Sequence, residues 1–402
     1  MPDLAPIVIA TTDFRPMVGG VADYLHRMAE SVAAVHDVTV ATSVSPGQLR
    51  WSHSYRLEAL PPLPERRLGR RFGDRVAPIR KLHTGAYFLS LRNYGRAVVD
   101  RARRHLGEAP VVIVGIWDTA SHFWCAACRD RGVPYYLIAY GVEIVLPLYG
   151  DLPEWRRADF AGARAVIAVS HATADLAVSR LGLTTRPFVV NPIAGEPLAG
   201  PAVEARAGEL QRMLGDRPGP VLLSVGRLVA RKGFDAVLES VEALSHRFPD
   251  LRYVLLGDGP ERQRLHDRAA ALGIADRVLM LGRADDAMKW AAYQRCDLFV
   301  MPNRALGGTD WEGFGIVFVE AARAGRAVVA GNSGGVADAV TNGETGLLVD
   351  PEDGEALTRA VRRMLTDDTE RARMAQAAAR SAGRRFTTEA LRAQLLSCLQ
   401  QN

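Results

Sequence analysis

Short runs of β-branched and aliphatic residues alternate with longer segments of helical spacing along most of the chain. In the first half these runs have the continuous apolar character of buried parallel strands, and they are Pro6–Thr11, Val38–Thr42, Val111–Gly115, Tyr135–Ala139 and Ala165–Val169. The segments with helical spacing between them are Val21–Ala34, Leu82–Leu106, Thr119–Arg131 and Ala172–Leu181. This alternation predicts a doubly wound α/β domain.

A proline-rich stretch from Asn191 to Pro220 interrupts the alternation, and we interpret it as a linker. Beyond it the predicted strands are Val221–Val225, Leu251–Leu256, Val278–Leu281, Leu298–Met301, Ala327–Ala330 and Gly346–Val349. The predicted helices are Gly233–Arg247, Pro260–Leu272, Gly315–Ala324 and Gly354–Leu365. A length of 402 residues also favours two domains over one core.

We therefore predict an N-terminal Rossmann-like domain over residues 1–195 and a C-terminal one over 196–385. The last helical stretch, within residues 386–402, has no following strand and is expected to cross back to the first domain. Two such domains facing one another would leave a deep cleft at the carboxyl ends of their strands, where ligands bind in this architecture.

Composition excludes several classes of protein. Apolar residues make up 48% of the chain, yet no run approaches the roughly 18 residues that a membrane span needs. The first ten residues lack the features of a signal peptide, so we expect a cytoplasmic protein. Of the four cysteines only Cys125 and Cys128 are close together, and without a second pair they read as apolar helix residues rather than a metal site.

The net charge of +5 is concentrated in one segment, where seven basic residues and two acidic ones lie between Glu65 and Lys81. Arg66–Lys81 could contact an anionic lipid on the inner face of the membrane or an anionic acceptor, but a solvated surface loop explains it equally well. A single aromatic residue, Phe72, lies among the basic ones and no nucleic-acid recognition motif follows them, so nucleic acid is not an expected partner. Three of the 50 basic residues are lysines, which makes a lysine inside a motif informative.

A predicted strand runs into the sequence Val225-Gly226-Arg227-Leu-Val-Ala-Arg-Lys232-Gly233, which then opens a helix. Arg227 and Lys232 are thereby placed at the carboxyl edge of the sheet, beside helix amides that favour an anion. Two fixed cations there could neutralise a diphosphate leaving group without a divalent metal. Two exposed basic residues in a loop are the alternative.

The segment from Pro302 to Glu320 combines a strand end, a glycine-rich loop and a helix start. Gly313 and Gly315 allow the backbone to approach a ligand closely, and the unpaired N–H groups of Phe314, Gly315 and Ile316 can face an oxyanion. Glu312 precedes the helix, where its carboxylate can hold sugar hydroxyls, and Glu320 can accept hydrogen bonds from a ribose.

The spacing from Glu312 to Glu320, together with Gly226-Arg227-x4-Lys232-Gly233, resembles the signature of retaining glycosyltransferase family 4. Three further segments match in order, and they are Leu256–Pro260, Gly331–Gly335 and Gly343–Val349. The resemblance covers the whole C-terminal domain. It implies a GT-B fold, a nucleoside-diphosphate sugar as co-substrate rather than a bound cofactor, and transfer with retention of anomeric configuration.

The resemblance also implies roles for single residues. Arg227 and Lys232 would bind the diphosphate, Glu312 the sugar and Glu320 the ribose. The remaining residues expected on the donor side are Gly19, Gly20, Gly226, Arg283, Gly313, Phe314, Gly315 and Ile316. Among these, Phe314 and Gly315 would offer backbone amides, Arg283 would lie near the base, and Gly19-Gly20 would form the family's glycine loop, for which a tight turn is the alternative.

On the acceptor side the chain departs from the family pattern, because Tyr140-Gly141-Val142-Glu143 stands where His-Gly-x-Glu is usual. A phenol with an ordinary pKa near 10 is a poor proton acceptor at neutral pH. The usual histidine role is therefore open. His122, on the helix after Val111–Gly115, is a further acceptor-side candidate or simply a surface histidine.

The sequence thus predicts a metal-independent hexosyltransferase that uses a UDP- or GDP-sugar. Its acceptor would be a small molecule, such as a cyclitol of secondary metabolism, or a lipid-linked saccharide of the cell envelope. Two alternatives stay open at this point: a nucleotide-sugar epimerase of the same architecture, and a non-catalytic nucleotide-sugar-binding protein.

Overall fold

A computed structural model of the chain describes residues 5–17, 19–42, 53–59, 110–145, 154–215, 219–307 and 310–401, with a few residues between 89 and 103. The fold divides into two compact units. The first unit comprises Met1–Val169, Thr173–Val190 and Leu391–Asn402, and the second comprises Ser170–Ala172 and Asn191–Ala390. The chain therefore passes between the units three times before its last helix.

The first unit is built on a seven-stranded parallel sheet with the order β3-β2-β1-β4-β5-β6-β7. Its strands are β1 (Ile7–Thr11), β2 (Val38–Thr42), β3 (Arg56–Ala59), β4 (Val111–Val114), β5 (Tyr135–Ala139), β6 (Ala165–Ala168) and β7 (Phe188–Val189). Its helices are α1 (Gly20–Ala33), α2 (Thr119–Arg131), α3 (Val142–Val145), α4 (Glu154–Ala161) and α5 (His171–Leu181). Helix α5 begins in the second unit at His171.

The second unit is built on a six-stranded parallel sheet with the order β10-β9-β8-β11-β12-β13. Its strands are β8 (Val221–Val225), β9 (Arg252–Leu256), β10 (Val278–Gly282), β11 (Leu298–Met301), β12 (Ala327–Gly331) and β13 (Leu347–Val349). Its α-helices are α6 (Pro201–Leu214), α7 (Phe234–Leu244), α8 (Arg262–Ala271), α9 (Asp286–Arg295), α10 (Ile316–Arg323), α11 (Val336–Ala339), α12 (Gly354–Thr366) and α13 (Asp368–Arg385). The final helix, α14 (Thr388–Gln400), starts in this unit and continues in the first.

The predicted fold class is confirmed, because both halves are parallel α/β sheets wound in two directions. Central strands such as β1, β5 and β8 are buried along their whole length. Helices pack on parallel sheets from both faces, so these strands read as continuous apolar runs. The three strands lie at the positions predicted from the sequence to within one residue.

The interpretation of Asn191–Pro220 as a linker is wrong in its middle part, where the 14-residue helix α6 lies. Pro201 occupies the first turn of this helix, where proline costs no hydrogen bond because the first N–H groups are unpaired in any helix. Most of the predicted helix Leu82–Leu106 and the basic segment Arg66–Lys81 lie outside the described residues.

Each sheet has one point where the winding direction reverses. In the first unit this point lies between β1 and β4, and in the second between β8 and β11. Ligands of open α/β sheets bind outside the carboxyl ends of the strands at such a point. Within the described part of the chain no helix is both long and apolar enough to cross a membrane.

Candidate active site

The loops after β8 and β11 meet at the reversal point of the second sheet. The first loop contains a short 3-10 helix, Ala230–Lys232, and the second runs from Pro302 to the start of α10. A backbone hydrogen bond from the Arg304 N–H to the Arg231 carbonyl at 2.8 Å joins them. The sequence expectation that these two loops act together therefore has a physical basis in their contact.

Glu312 is the centre of the charged cluster that the two loops form. Its Oε2 atom accepts hydrogen bonds from the Lys232 Nζ, from the Arg231 Nη1 at 2.7 Å and from the Asn303 Nδ2 at 2.8 Å. Arg231 also donates from Nε to the Asp310 carboxylate at 2.9 Å. The carboxylate is thus fixed by three donors from the protein itself.

The charges in this cluster are removed from water. Burial acts to raise the pKa of Glu312, but the charges of Lys232 and Arg231 outweigh it and hold that pKa below the usual range. Burial lowers the pKa of Lys232, and the Glu312 carboxylate opposes that change. Glu312 is therefore ionised at neutral pH and serves as the counter-charge of Lys232.

Arg227 differs from the other cations of this edge. It follows β8 directly, its side chain is exposed, and it forms no ion pair with any residue that the structure describes. The neighbouring Gly226 donates its N–H to the Leu256 carbonyl at 2.9 Å, which fixes the start of the loop. An exposed guanidinium with no ion pair among the described residues, in the same loop as a buried, paired lysine, suits an incoming anion.

A third loop, Gly331–Gly335, packs against the backbone of Glu312. Gly335 donates its N–H to the Glu312 carbonyl at 2.8 Å. Gly334 has φ of 59°, and a Cβ added there would lie 2.2 Å from the Glu312 carbonyl oxygen. Only glycine fits this left-handed conformation and this close approach of two backbones. The segment Gly331–Gly335 thus appears in the motif because it packs against the loop that carries Glu312.

Glu320 lies on α10 and is 94% buried. Its Oε1 accepts a hydrogen bond from the Lys289 Nζ at 2.7 Å and its Oε2 accepts one from the Tyr293 hydroxyl at 3.0 Å. Burial acts to lower the pKa of Lys289, but the Glu320 carboxylate outweighs it and raises that pKa. Glu320 is therefore a paired carboxylate, with lone pairs left for further donors.

The remaining donor-side candidates of the second unit surround these pairs. Gly315 precedes α10 with φ of 88°, and Ile316 begins the helix, where the first N–H groups have no intrahelical acceptor. Gly313 leads into this turn. Phe314 is buried and its ring packs edge-on against Phe386. Arg283 follows β10, is 88% exposed, and lies 4.0 Å from the Asp258 carboxylate.

Gly19 and Gly20 belong to the first unit, where both are exposed. Gly20 begins α1 and Gly19 precedes it with an extended backbone. A Cβ added at either position would meet no atom within 4 Å. The open space around these glycines would leave room for a ligand. Their role in donor binding stays a prediction.

Tyr140 and Glu143 are both engaged inside the first unit. The Tyr140 hydroxyl donates to the Gly115 carbonyl at 2.9 Å, and burial raises the pKa of this phenol well above its usual value. The Glu143 Oε1 accepts hydrogen bonds from the N–H groups of Tyr140 and Gly141. Burial raises the pKa of Glu143, and these bonds offset only part of that effect. The Glu143 side chain thus stabilises the turn after β5, and the Tyr140 side chain ties that turn to the end of β4.

His122 lies in the first turns of α2, with its Nδ1 2.7 Å from the Asp159 Oδ2. Asp159 is completely buried and also accepts a hydrogen bond from the Arg129 Nη1 at 2.8 Å. Its partners make His122 an oriented side chain rather than a freely solvated one.

Sequence reasoning missed several residues of the second-unit cluster. Arg231, Asn303 and Asp310 complete the surroundings of Glu312, while Lys289 and Tyr293 complete those of Glu320. The scarcity of lysine was a usable signal, because two of the three lysines pair with the two glutamates of the motif. Among the described residues no group of three histidine, cysteine or acidic side chains could hold a metal ion.

Comparison with known proteins identifies the family. The family described as "Glycosyl transferases group 1" matches residues 212–381. A GDP-mannose-dependent alpha-(1-6)-phosphatidylinositol monomannoside mannosyltransferase of Mycolicibacterium smegmatis is 31% identical over 379 residues, which cover 92% of this chain and 91% of the relative. The chain belongs to the group 1 glycosyltransferases. It is an enzyme of the retaining hexosyltransferase type, as its sequence predicted.

Other relatives of this glycosyltransferase match over a shorter stretch or at lower identity. An alpha-D-kanosaminyltransferase of Streptomyces kanamyceticus is 33% identical over 187 residues, covering 46% of this chain and 47% of the relative. The crystal structure of Anabaena HepE with UDP and glucose superposes with a TM-score of 0.75 at 21% identity, covering 99% of this glycosyltransferase and 100% of that chain. The fold of the enzyme is therefore GT-B.

Proposed function

We propose that this glycosyltransferase moves a hexosyl group from a nucleoside-diphosphate sugar to an acceptor hydroxyl in glycolipid or cell-envelope saccharide synthesis. The observation that carries the proposal is the exposed Arg227, without an ion pair in the described part of the chain, in the same loop as the buried Lys232 that pairs with Glu312, at the reversal point of the second sheet. Cations placed this way suit a diphosphate better than a neutral ligand.

GDP-mannose is the first donor to test, because the relative named for it covers nearly the whole chain. The same name includes a phosphatidylinositol monomannoside, which makes a lipid-linked mannoside the first acceptor. The relative named for kanosaminyl transfer covers less than half of this chain, so an aminoglycoside-type acceptor ranks second.

The donor would bind with its diphosphate on Arg227 and the first N–H groups of α10. Charge-assisted hydrogen bonds are worth about 1.5–3 kcal/mol each, and removing a donor that stabilises developing charge costs about 10²–10³ in kcat. Lys232 adds a second positive charge whose position is fixed by Glu312. Both cations would stabilise the phosphate as it leaves.

The Glu312 carboxylate is better suited to holding sugar hydroxyls than to attacking the sugar. Its Oε2 already accepts three hydrogen bonds, two of them from cations, and this lowers its nucleophilicity. Glu320 retains lone pairs for a ribose hydroxyl beyond its bonds to Lys289 and Tyr293.

Retention would then follow from reaction on one face of the sugar. The bond from the anomeric carbon to the phosphate oxygen breaks, and the acceptor oxygen bonds to that carbon on the same face. The leaving phosphate oxygen takes the acceptor proton. This route requires no protein nucleophile, consistent with a glutamate that is tied to two cations.

The test is a donor panel of GDP-mannose, GDP-glucose, UDP-glucose and UDP-N-acetylglucosamine, each with and without phosphatidylinositol monomannoside. Mass spectrometry detects the nucleoside diphosphate and the glycosylated product together. We expect release that depends on the acceptor, and a product whose new linkage has the anomeric configuration of the donor.

Two results would contradict the proposal. Isomerised sugar formed without acceptor would indicate an epimerase. Binding of the nucleotide without turnover over the whole panel, extended to 2-deoxystreptamine and myo-inositol as soluble acceptors, would indicate a non-catalytic binding protein.

A further inference from the structure

Trp155 is an exposed tryptophan that stacks on a buried one. The rings of Trp155 and Trp117 lie 5.2 Å apart at 27°, and the two residues are 40% and 5% exposed. The His122 ring lies 4.7 Å from that of Trp155. A single exposed aromatic side chain is ordinary on a protein surface, and Trp155 is distinguished by the residues that surround it.

The polar neighbour, His122, is held in one orientation. Asp159 Oδ2 accepts hydrogen bonds from the Trp117 Nε1 at 3.1 Å and from the His122 Nδ1 at 2.7 Å. Because a carboxylate accepts, the His122 Nδ1 is the donor in this hydrogen bond, and the second ring nitrogen, Nε2, is left to face a ligand. The Nε2 has no hydrogen-bond partner among the residues described, and the side chain is 22% exposed.

The buried side of the tryptophan pair is also fixed. The Arg156 guanidinium lies 4.2 Å from the centre of the Trp117 ring and donates to the Glu143 carbonyl at 2.7 Å. The Arg129 guanidinium is bound to Asp159. Arg129 is thus paired with a carboxylate and Arg156 is buried against Trp117, so the cluster presents outward an aromatic face beside the His122 Nε2.

The cluster lies at the edge of the sheet where ligands are expected. Trp117 follows β4, and His122 is in the first turns of the helix that comes next. Strand β4 is one of the two strands at the reversal point of the first sheet, and the Thr12 hydroxyl after β1 donates to Asp118 at 2.6 Å across that point.

We infer that Trp155, Trp117 and His122 form a binding site for the acceptor, and that the acceptor carries a saturated polyol ring, a hexose or a cyclitol. The C–H face of the ring packs on Trp155 while a ring hydroxyl donates to the His122 Nε2. Such a ring has both an apolar face and hydroxyl donors, which match the two elements of the cluster. This inference rests on the proposed function, because it assigns that reaction's second substrate to this surface.

A membrane contact is the competing use of an exposed tryptophan. It would require neither a rigid stack nor an open histidine nitrogen beside the ring. The Arg129 charge is paired with Asp159, and Arg156 is buried over the Trp117 ring with a hydrogen bond to the Glu143 carbonyl, so neither guanidinium is presented to anionic lipid head groups.

The first arm of the test uses no donor. Methyl α-D-mannopyranoside and myo-inositol are titrated by saturation-transfer NMR against wild type, Trp155→Ala, Trp155→Phe and His122→Ala. Val35→Ala, at a position 44% exposed in the same unit, is the matched control. We expect about a tenfold weaker binding for Trp155→Ala and His122→Ala, a change within about threefold for Trp155→Phe, and none for Val35→Ala. Thermal unfolding checks that each variant is folded.

The second arm measures transfer with phosphatidylinositol monomannoside. The acceptor KM should rise about tenfold in Trp155→Ala while the KM for GDP-mannose is unchanged. Ring binding that depends on Trp155 without turnover would overturn the proposed function and leave the inference about the surface standing. Turnover with an acceptor KM and a ring affinity insensitive to Trp155 would overturn the inference alone.

A third measurement addresses the membrane alternative, using sedimentation with vesicles of phosphatidylglycerol and phosphatidylcholine. Vesicle binding that Trp155→Ala abolishes, while both sugars still bind as in wild type, would overturn the inference. Failure of wild type to bind either sugar would do the same.

Discussion

The two sheets of this glycosyltransferase share a topology, but their carboxyl edges differ in chemistry. In the second unit Lys232 and Lys289 pair with Glu312 and Glu320, and Arg227 stays exposed beside them. In the first unit the corresponding edge presents tryptophans and a histidine. A charged edge suits a diphosphate and an aromatic edge suits a neutral ring.

The different residues at the two edges show that the strand order of a sheet indicates where a ligand binds, while the side chains at that edge determine which ligand it is. Tyr140 and Glu143 stand at the first edge by sequence, yet the Tyr140 hydroxyl bonds the Gly115 carbonyl and the Glu143 carboxylate bonds its own turn. Four predictions test whether the charged groups that bind the donor are confined to the second unit.

The largest effect is expected from Arg227→Ala. Transfer should fall about 10²–10³-fold, because a cation that stabilises the leaving phosphate is lost. The unfolding midpoint should stay within about 1 °C of wild type, since Arg227 is exposed and unpaired in the described structure. Initial rates of nucleotide release and differential scanning fluorimetry provide the two measurements.

Arg212→Ala is the matched control, because Arg212 is another exposed arginine of the second unit that forms no ion pair among the described residues. It should change neither quantity. Unchanged turnover in Arg227→Ala would remove the basis for calling the second edge the donor side.

The second prediction concerns Glu312→Gln, which removes the counter-charge of Lys232 and leaves Arg231 paired with Asp310. Removing one partner of a buried pair costs about 3 kcal/mol, so the urea midpoint of the second unit should fall clearly. Transfer should fall as well. Glu242→Gln, an exposed glutamate on α7 with no described ion pair, should leave both unchanged. Full stability in Glu312→Gln would show that this pair does not organise the loops.

The third prediction tests the first unit through Asp159→Asn. The change weakens the hydrogen bonds to Arg129 and His122 in a buried setting, for which a cost of about 2 kcal/mol is expected. Binding of GDP, measured by calorimetry, should not change, because Asp159 belongs to the first unit. A clear loss of GDP affinity in Asp159→Asn would contradict the separation between the two edges.

The smallest expected effect is on how stability changes with pH. The contribution of Glu312 in the second unit and that of Glu143 in the first should change with pH in opposite directions. The pKa of Glu312 is lowered in the folded protein, so its contribution to stability is present above the unfolded pKa of about 4.3 and is lost as pH falls through the folded pKa. The pKa of Glu143 is raised by burial, so its contribution is present below the unfolded pKa and is lost as pH rises through the folded one.

Urea unfolding from pH 3 to pH 8 measures this difference. The deficit of Glu312→Gln relative to wild type should shrink on acidification. The stability of Glu143→Gln relative to wild type should increase as pH rises. The same direction for both variants would contradict the assignment of charged and neutral edges.

Much of the fold could be predicted because buried parallel strands are continuous apolar runs. The edge strands Arg56–Ala59 and Phe188–Val189 could not, since the first is partly polar and the second has two residues. Helix α6 was missed because Pro201 was counted with the prolines on either side of the helix as a linker residue, although it marks the helix start.

The candidate site was predictable as a set of motifs but not as a set of contacts. The sequence motifs grouped Arg227, Lys232 and Glu312, and the charges of these residues indicated a site for a diphosphate sugar. It could not show that Lys232 is already paired with Glu312, because two residues 80 positions apart meet only through the loops after β8 and β11. Lys289 was missed for the same reason.

Helix α14 has a consequence for the order in which this protein is made. The first unit needs Leu391–Asn402, where the Leu399 carbonyl accepts a hydrogen bond from the Tyr136 hydroxyl and the Ser31 carbonyl accepts one from Arg392. A ribosome reaches those residues only after translating the entire second unit. The half of the enzyme that is synthesised first is therefore the half that is completed last.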